Sequence, residues 1–147
     1  MSILLTDHFT LDEMTFSDTA IRLGIDNTAP PDIIEKLRYL AVNLENVRDI
    51  TGALHINSGY RCPELNESVG SKPTSQHLKG EAADCRSLTG LSPLQLCRMV
   101  AASKIPFDQI IYEFKSWMHI SFVAPPHTPR RALLTIDNTG QYNWLKE

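Results

Sequence analysis

The chain is poor in cysteine: Cys62, Cys85 and Cys97 are the only three in 147 residues. Three cannot all pair within one chain, and none of the spacings is Cys-x-x-Cys. A disulfide scaffold and a cysteine-rich zinc ribbon are thereby excluded. Free, buried thiols in a reducing compartment are expected instead. Long apolar runs are also lacking, and none approaches the roughly 18 residues a membrane helix needs. The opening Met1-Ser2-Ile3-Leu4-Leu5-Thr6-Asp7 has no basic region and only a short apolar patch, so it does not read as a secretory signal. Positive charge is scarce: 14 Lys+Arg against 17 Asp+Glu leave a net charge of -3. The electrostatic footprint of a nucleic-acid binder is missing. Neither nucleic acid nor membrane is an expected partner. There is no internal repeat and no low-complexity stretch.

What is present suits one domain over residues 1–147, long enough to bury a core without staples. Thr10-Leu11-Asp12-Glu13 has the form of a capping box ahead of a short helix. A second helix from Ser17 to about Leu23 is stopped by Gly24. Pro31 suits the first turn of a long helix. Its apolar stripe is Ile33, Leu37, Leu40, Leu44 and Val47, widened by Ile34 and Ala41, and Gly52 ends it. Leu54 to Ser58 reads as a strand, Gly59 to Thr74 mostly as loop with one helical turn after Pro63, and Ala82 to Arg86 as a short strand. Ser92-Pro93 opens a helix to about Ser103. Gln109 to Phe114 and Trp117 to Val123 read as a hairpin, and Ala132 to Ile136 as a last strand. Helices first and strands later predict an α+β fold, with N-terminal helices on a small antiparallel sheet.

Two segments carry chemistry. One is Ser58-Gly59-Tyr60-Arg61 followed by Ser75-x-His77-x-x-Gly80-x-Ala82-x-Asp84; the other is Ile111 to Ser121, with Trp117 and His119. This pattern resembles the zinc D-Ala-D-Ala carboxypeptidases and related peptidoglycan peptidases with a hedgehog-like fold. The likeness runs from about Ser58 to Phe122. His8-Phe9-Thr10-Leu11 and Gly24-Ile25-Asp26-Asn27 are also similar to phage endolysin-type members. The resemblance implies Zn2+ held by His77, Asp84 and His119. The residue types agree with that. A catalytic zinc takes three protein ligands and keeps one position open. Two neutral imidazoles and one carboxylate leave a net positive charge that acidifies water. Gly80 permits a tight turn between His77 and Asp84. Two His and one carboxylate also describe the non-haem iron facial triad, which the wider pattern does not favour.

The hairpin offers a check. With Glu113 directly opposite His119 and a loop of Lys115-Ser116-Trp117, Gln109, Ile111, Glu113, His119 and Ser121 share one face. Ile110, Tyr112, Phe114, Met118, Ile120 and Phe122 share the other, apolar one. Opposed residues have Cβ atoms about 5 Å apart, so Glu113 would reach the metal site. Many members of the family place their catalytic carboxylate three residues before the second His, where this chain has Ser116. Glu113 is therefore the candidate general base, with Glu81 and Glu67 as alternatives.

Arg61 resembles the family arginine that holds a substrate carboxylate or carbonyl, and its planar fork suits that task. It is read as both catalytic and substrate-binding. Ser75 and Trp117 are further candidates for substrate contact. Gln76, His8, His55 and His127 receive no role. The implied activity is zinc-dependent hydrolysis of a peptide bond in the peptidoglycan stem peptide by a monomeric, lysin-like enzyme. The bond is either L-Ala–D-Glu or D-Ala-D-Ala. The enzyme would be made in the cytoplasm and act on the wall after release. The other reading is a non-catalytic, zinc-containing module of the same fold that binds cell wall or protein.

Overall fold

The computed structural model describes residues 3–146; Met1, Ser2 and Glu147 lie outside the described residues, and with them the first two positions of the N-terminal stretch. Local signals set the helices. Thr10 caps α1 (Leu11–Thr15): its hydroxyl accepts from the Glu13 amide, and the Glu13 carboxylate accepts from the Thr10 amide. Ser17 caps α2 (Asp18–Leu23), which Gly24 closes in the left-handed region. Pro31 opens α3 (Pro31–Thr51), whose Leu37, Leu40, Ala41, Leu44 and Val47 are buried. Ser92 and Gln95 form a second capping box on α5 (Pro93–Ala101). Between α3 and α5 lie α4 (Pro63–Ser68), which is the helical turn expected after Pro63, and a 3-10 turn, Gln76–Lys79, just past the stretch expected to be mostly loop. Among the described residues no helix is long and apolar enough to cross a membrane.

The strands are β1 (Leu54–Ser58), β2 (Ala82–Ser87), β3 (Gln109–Glu113), β4 (Trp117–Ser121), β5 (Ala132–Asp137) and β6 (Gly140–Tyr142). They form one sheet in the order β1-β2-β4-β3-β5-β6, so the architecture is α+β with a mostly antiparallel sheet. One face carries Ala83, Cys85, Ile110, Tyr112, Met118 and Ile120. These join Leu40 and Leu44 of α3 and Leu96, Cys97 and Val100 of α5 in a single apolar cluster. Removing that area from water is the main force holding helices to sheet.

Two strand features differ from the expected ones. β5 pairs parallel with β3, because the chain from Phe122 to Arg131 carries β5 back to the start of β3, and β6 then adds a short hairpin. The β3–β4 register also differs: Glu113 faces Trp117, and Ile111 faces His119. The loop is Phe114-Lys115-Ser116, closed by the Ser116 amide donating to the Glu113 carbonyl at 2.9 Å. Phe114 and Lys115 both take left-handed backbone, at φ 51° and 56°. Glycine or asparagine normally marks such positions, and neither is present to announce the turn. The shift is two residues. Side chains alternate with period two, so Glu113 and His119 keep the shared face expected of them.

An ion pair between a buried carboxylate and an exposed guanidinium ties the sheet entry to the loop before β5. Asp108, 3% exposed, accepts from the Arg130 side chain at 2.7–3.1 Å and from its amide at 3.0 Å. Burial alone would push this carboxyl up, but the Arg130 hydrogen bonds hold it below the ordinary carboxylate range. The native state therefore favours the ionised form. The resulting stabilisation is complete above the unfolded value near 4 and is lost as pH falls through the lower native value. Asp108→Asn is expected to cost about 1–2 kcal/mol at neutral pH, discounted for the exposed guanidinium, and to flatten the acid limb of stability. Urea melts between pH 3 and 7 read both effects. An acid limb identical to the parent's would refute the assignment.

Candidate active site

Antiparallel pairing of β2 with β4 sets Asp84 directly opposite His119. Directly opposed residues point to the same face, and the Asp84 Oδ1 atom lies 3.0 Å from His119 Nδ1. His77 comes from the 3-10 turn. Ser75 accepts the His77 amide and so caps that turn, and Gly80 ends it in the left-handed region at φ 70°. A Cβ at Gly80 would also crowd Ile33, so the glycine is needed for both reasons. His77 Nδ1 donates to the Gly59 carbonyl at 2.6 Å, which turns Nε2 inward, 3.3 Å from Asp84 Oδ1.

The result is a buried set of three ligand-type side chains whose donor atoms all lie within 4.8 Å of one another. Burial alone would raise the Asp84 carboxyl. The facing His77 and His119 rings instead hold it well below the usual carboxylate range. A carboxylate ionised in the interior between two imidazoles, one of them locked by its outer nitrogen, fits the donor chemistry of a zinc site. Outer-nitrogen locking of this kind orients a ligand before any ion arrives.

Glu113 stands beside this set, its Oε1 3.8 Å from His119 Nδ1. Burial, reinforced by repulsion from Asp84, pushes its carboxyl up to about 6, against the pull of His119 and Arg61. The other candidate bases are elsewhere. Glu81 is bonded to Gln76 and paired with Lys36, and Glu67 is exposed on α4. Ser116 sits at the exposed hairpin tip, bonded to the Phe114 carbonyl. Trp117 is half-buried opposite Glu113 and in tilted contact with the Phe114 ring at 5.9 Å.

Arg61 faces the same charges. Burial pushes its guanidinium pKa down, and Asp84 and Glu113 push it up. Its Nε–H is buried with no hydrogen-bond partner among the described residues. The planar fork of a partly buried guanidinium suits a carboxylate. His8 lies away from the site, bound to Glu45. Cys85 and Cys97 are buried among apolar side chains, where burial pushes both thiols up, and neither belongs to the ligand-type set.

Sequence reasoning missed the support around these groups. Gln76, left without a role, donates to Asp108 at 3.1 Å and so ties the His77 turn to the Asp108–Arg130 pair. Gly59 is the other case. A Cβ there would sit 2.4 Å from the Met14 carbonyl oxygen, which is backbone and cannot swing aside. Gly59→Ala is expected to cost about 2–3 kcal/mol by overpacking, read as a fall in thermal midpoint. Gly70→Ala, with open space around it, should cost only the left-handed penalty of about 1–2 kcal/mol. Equal costs for the two would refute the close approach.

No curated protein matches the chain. A family model described as Peptidase M15 does, over residues 7–121, from the turn before α1 to the last residue of β4. That span takes in Arg61, His77, Asp84, Glu113 and His119. The architecture, the buried His-Asp-His set and this match lead to one conclusion: the chain belongs to the peptidase M15 family, whose members are zinc-dependent metallopeptidases.

Proposed function

We propose that the protein hydrolyses a peptide bond in the peptidoglycan stem peptide, using zinc held by His77, Asp84 and His119. The observation that carries this reading is the position of Glu113, a carboxyl 3.8 Å from His119 at the edge of the three-ligand set and outside it. A carboxyl beside the metal position but not among its ligands is suited to proton transfer to and from a water there.

When bound, the zinc supplies Lewis acidity, making water a better nucleophile and a carbonyl a better target. The chain's own residues do the rest. Glu113 accepts the proton of the attacking water and delivers it to the departing amine. Arg61 holds a substrate carboxylate beside the scissile bond through two parallel N–H donors. Trp117, next to Glu113 in the ladder, walls the cleft on the hairpin side and limits water there. Ser75, whose hydroxyl already accepts the His77 amide, contributes by shaping the ligand turn.

Both candidate bonds lie near a carboxylate. D-Ala-D-Ala ends in one, and L-Ala–D-Glu offers the α-carboxylate of D-Glu. The test offers the zinc-loaded protein two substrates in parallel: a pentapeptide ending in D-Ala-D-Ala, and a muropeptide with an intact L-Ala–D-Glu bond. Mass spectrometry of products identifies the cut. Binding of peptidoglycan without any product would replace the enzyme reading with that of a zinc-containing wall-binding module.

A further inference from the structure

Arg61 has no hydrogen bond at Nε, so the backbone that carries it contributes to its placement alongside the pull of Asp84 and Glu113. That backbone is pinned from two sides. On one side stands the metal-ligand turn: the Arg61 amide donates to the His77 carbonyl at 3.1 Å, and the Gly59 carbonyl accepts from His77 Nδ1. On the other stands Asn27, a buried side chain in the loop between α2 and α3, 8% exposed. Its Nδ2 donates to the Tyr60 carbonyl at 3.0 Å and to the Thr15 carbonyl at 2.9 Å. Its Oδ1 accepts from the Cys62 amide at 2.8 Å. One side chain therefore holds the peptide groups immediately before and after Arg61 and fastens them to the end of α1.

We infer that Asn27 is the positioning residue for Arg61, fixing the reach of the substrate-anchoring guanidinium without touching substrate. This rests on the reading of Arg61 as that anchor. An amide side chain is suited to the task because it offers donors and an acceptor at once, so a carbonyl and an N–H on either side of one residue can be held together. Aspartate would lose the donations, and alanine would take this partner from one buried and two part-buried backbone groups. His77 shares two hydrogen bonds with this segment but has further supports in the Ser75 cap and Gly80, so losing Asn27 should act first on Arg61, whose two flanking peptide groups it holds.

The test is a double-mutant cycle on muropeptide cleavage. Asn27→Ala is expected to lower kcat/KM about 10-fold, through KM, with zinc content unchanged. In an Arg61→Ala background the same change should cost less than about 2-fold, since nothing is left to position. Equal losses in both backgrounds, or a loss confined to kcat, would overturn the inference. Amide hydrogen exchange on the substrate-free protein gives an independent reading. Arg61 and Cys62 amides should exchange about 10-fold faster in the variant while α3 amides keep their protection. Unchanged exchange at those two amides overturns the clamp. If the parent protein cleaves no stem peptide, the enzyme reading fails, and exchange alone decides the clamp. Asn27→Ser repeats the measurements should the alanine variant not fold. Failure of both to fold would make Asn27 a folding residue and end the proposal.

Discussion

Glu113→Gln is expected to lower kcat on stem peptide by roughly 10²- to 10⁴-fold, the usual cost of losing a general base. Glutamine keeps the size of the side chain and can still accept a hydrogen bond, but it cannot take up the proton of the attacking water. Zinc content should not change, because the three ligand-type side chains are His77, Asp84 and His119, and Glu113 stands outside that set. The loss should fall on kcat with KM little altered, since the proposed function gives the holding of substrate to Arg61 rather than Glu113. Steady-state kinetics with metal analysis on the same preparation reads both. Near-normal turnover would remove the role from Glu113. Among the described residues no other candidate glutamate is poised to inherit it, with Glu81 engaged by Gln76 and Lys36 and Glu67 exposed on α4. A parallel loss of zinc would make Glu113 a ligand instead.

The other large effect is on the metal. His77→Ala and His119→Ala are each expected to bring zinc from about one per chain to a small fraction. The loss in affinity should exceed the roughly 10- to 100-fold typical of changes one shell further out. Hydrolysis should vanish with the metal. Each imidazole also steadies the buried Asp84 carboxylate. Removing one leaves that charge less compensated, so the metal-free variants should be less stable than the metal-free parent. Since the ligands bind zinc only when deprotonated, parental affinity should itself weaken in acid. Metal analysis after dialysis against buffered zinc checks the assignment. Full stoichiometry in either alanine variant would refute it. Folding should survive zinc removal in the parent, because α3 and α5 pack on the sheet through an apolar cluster that includes none of the three ligand-type residues.

Much of this was legible from sequence, for local reasons. Thr10 with Glu13 and Ser92 with its proline announce helix starts, because a cap is chemistry among neighbours in the chain. The apolar stripe of α3 is legible because a helix repeats every 3.6 residues. The shared face of Glu113 and His119 is legible because strand side chains alternate strictly. Alternation determines face but not register. With no glycine at Phe114-Lys115-Ser116 to mark the turn, the two-residue offset that sets Trp117 opposite Glu113 was settled only by the folded hairpin and its parallel neighbour β5. The supports of the site were hidden for the same kind of reason. Asn27 reaches Tyr60 and Cys62 across separations of 33 and 35 residues, and Gln76 reaches Asp108 across 32. Hydrogen bonds of that range leave no periodic trace in a sequence. They exist only once burial of the core has brought the loops together and left their polar groups no partner but each other.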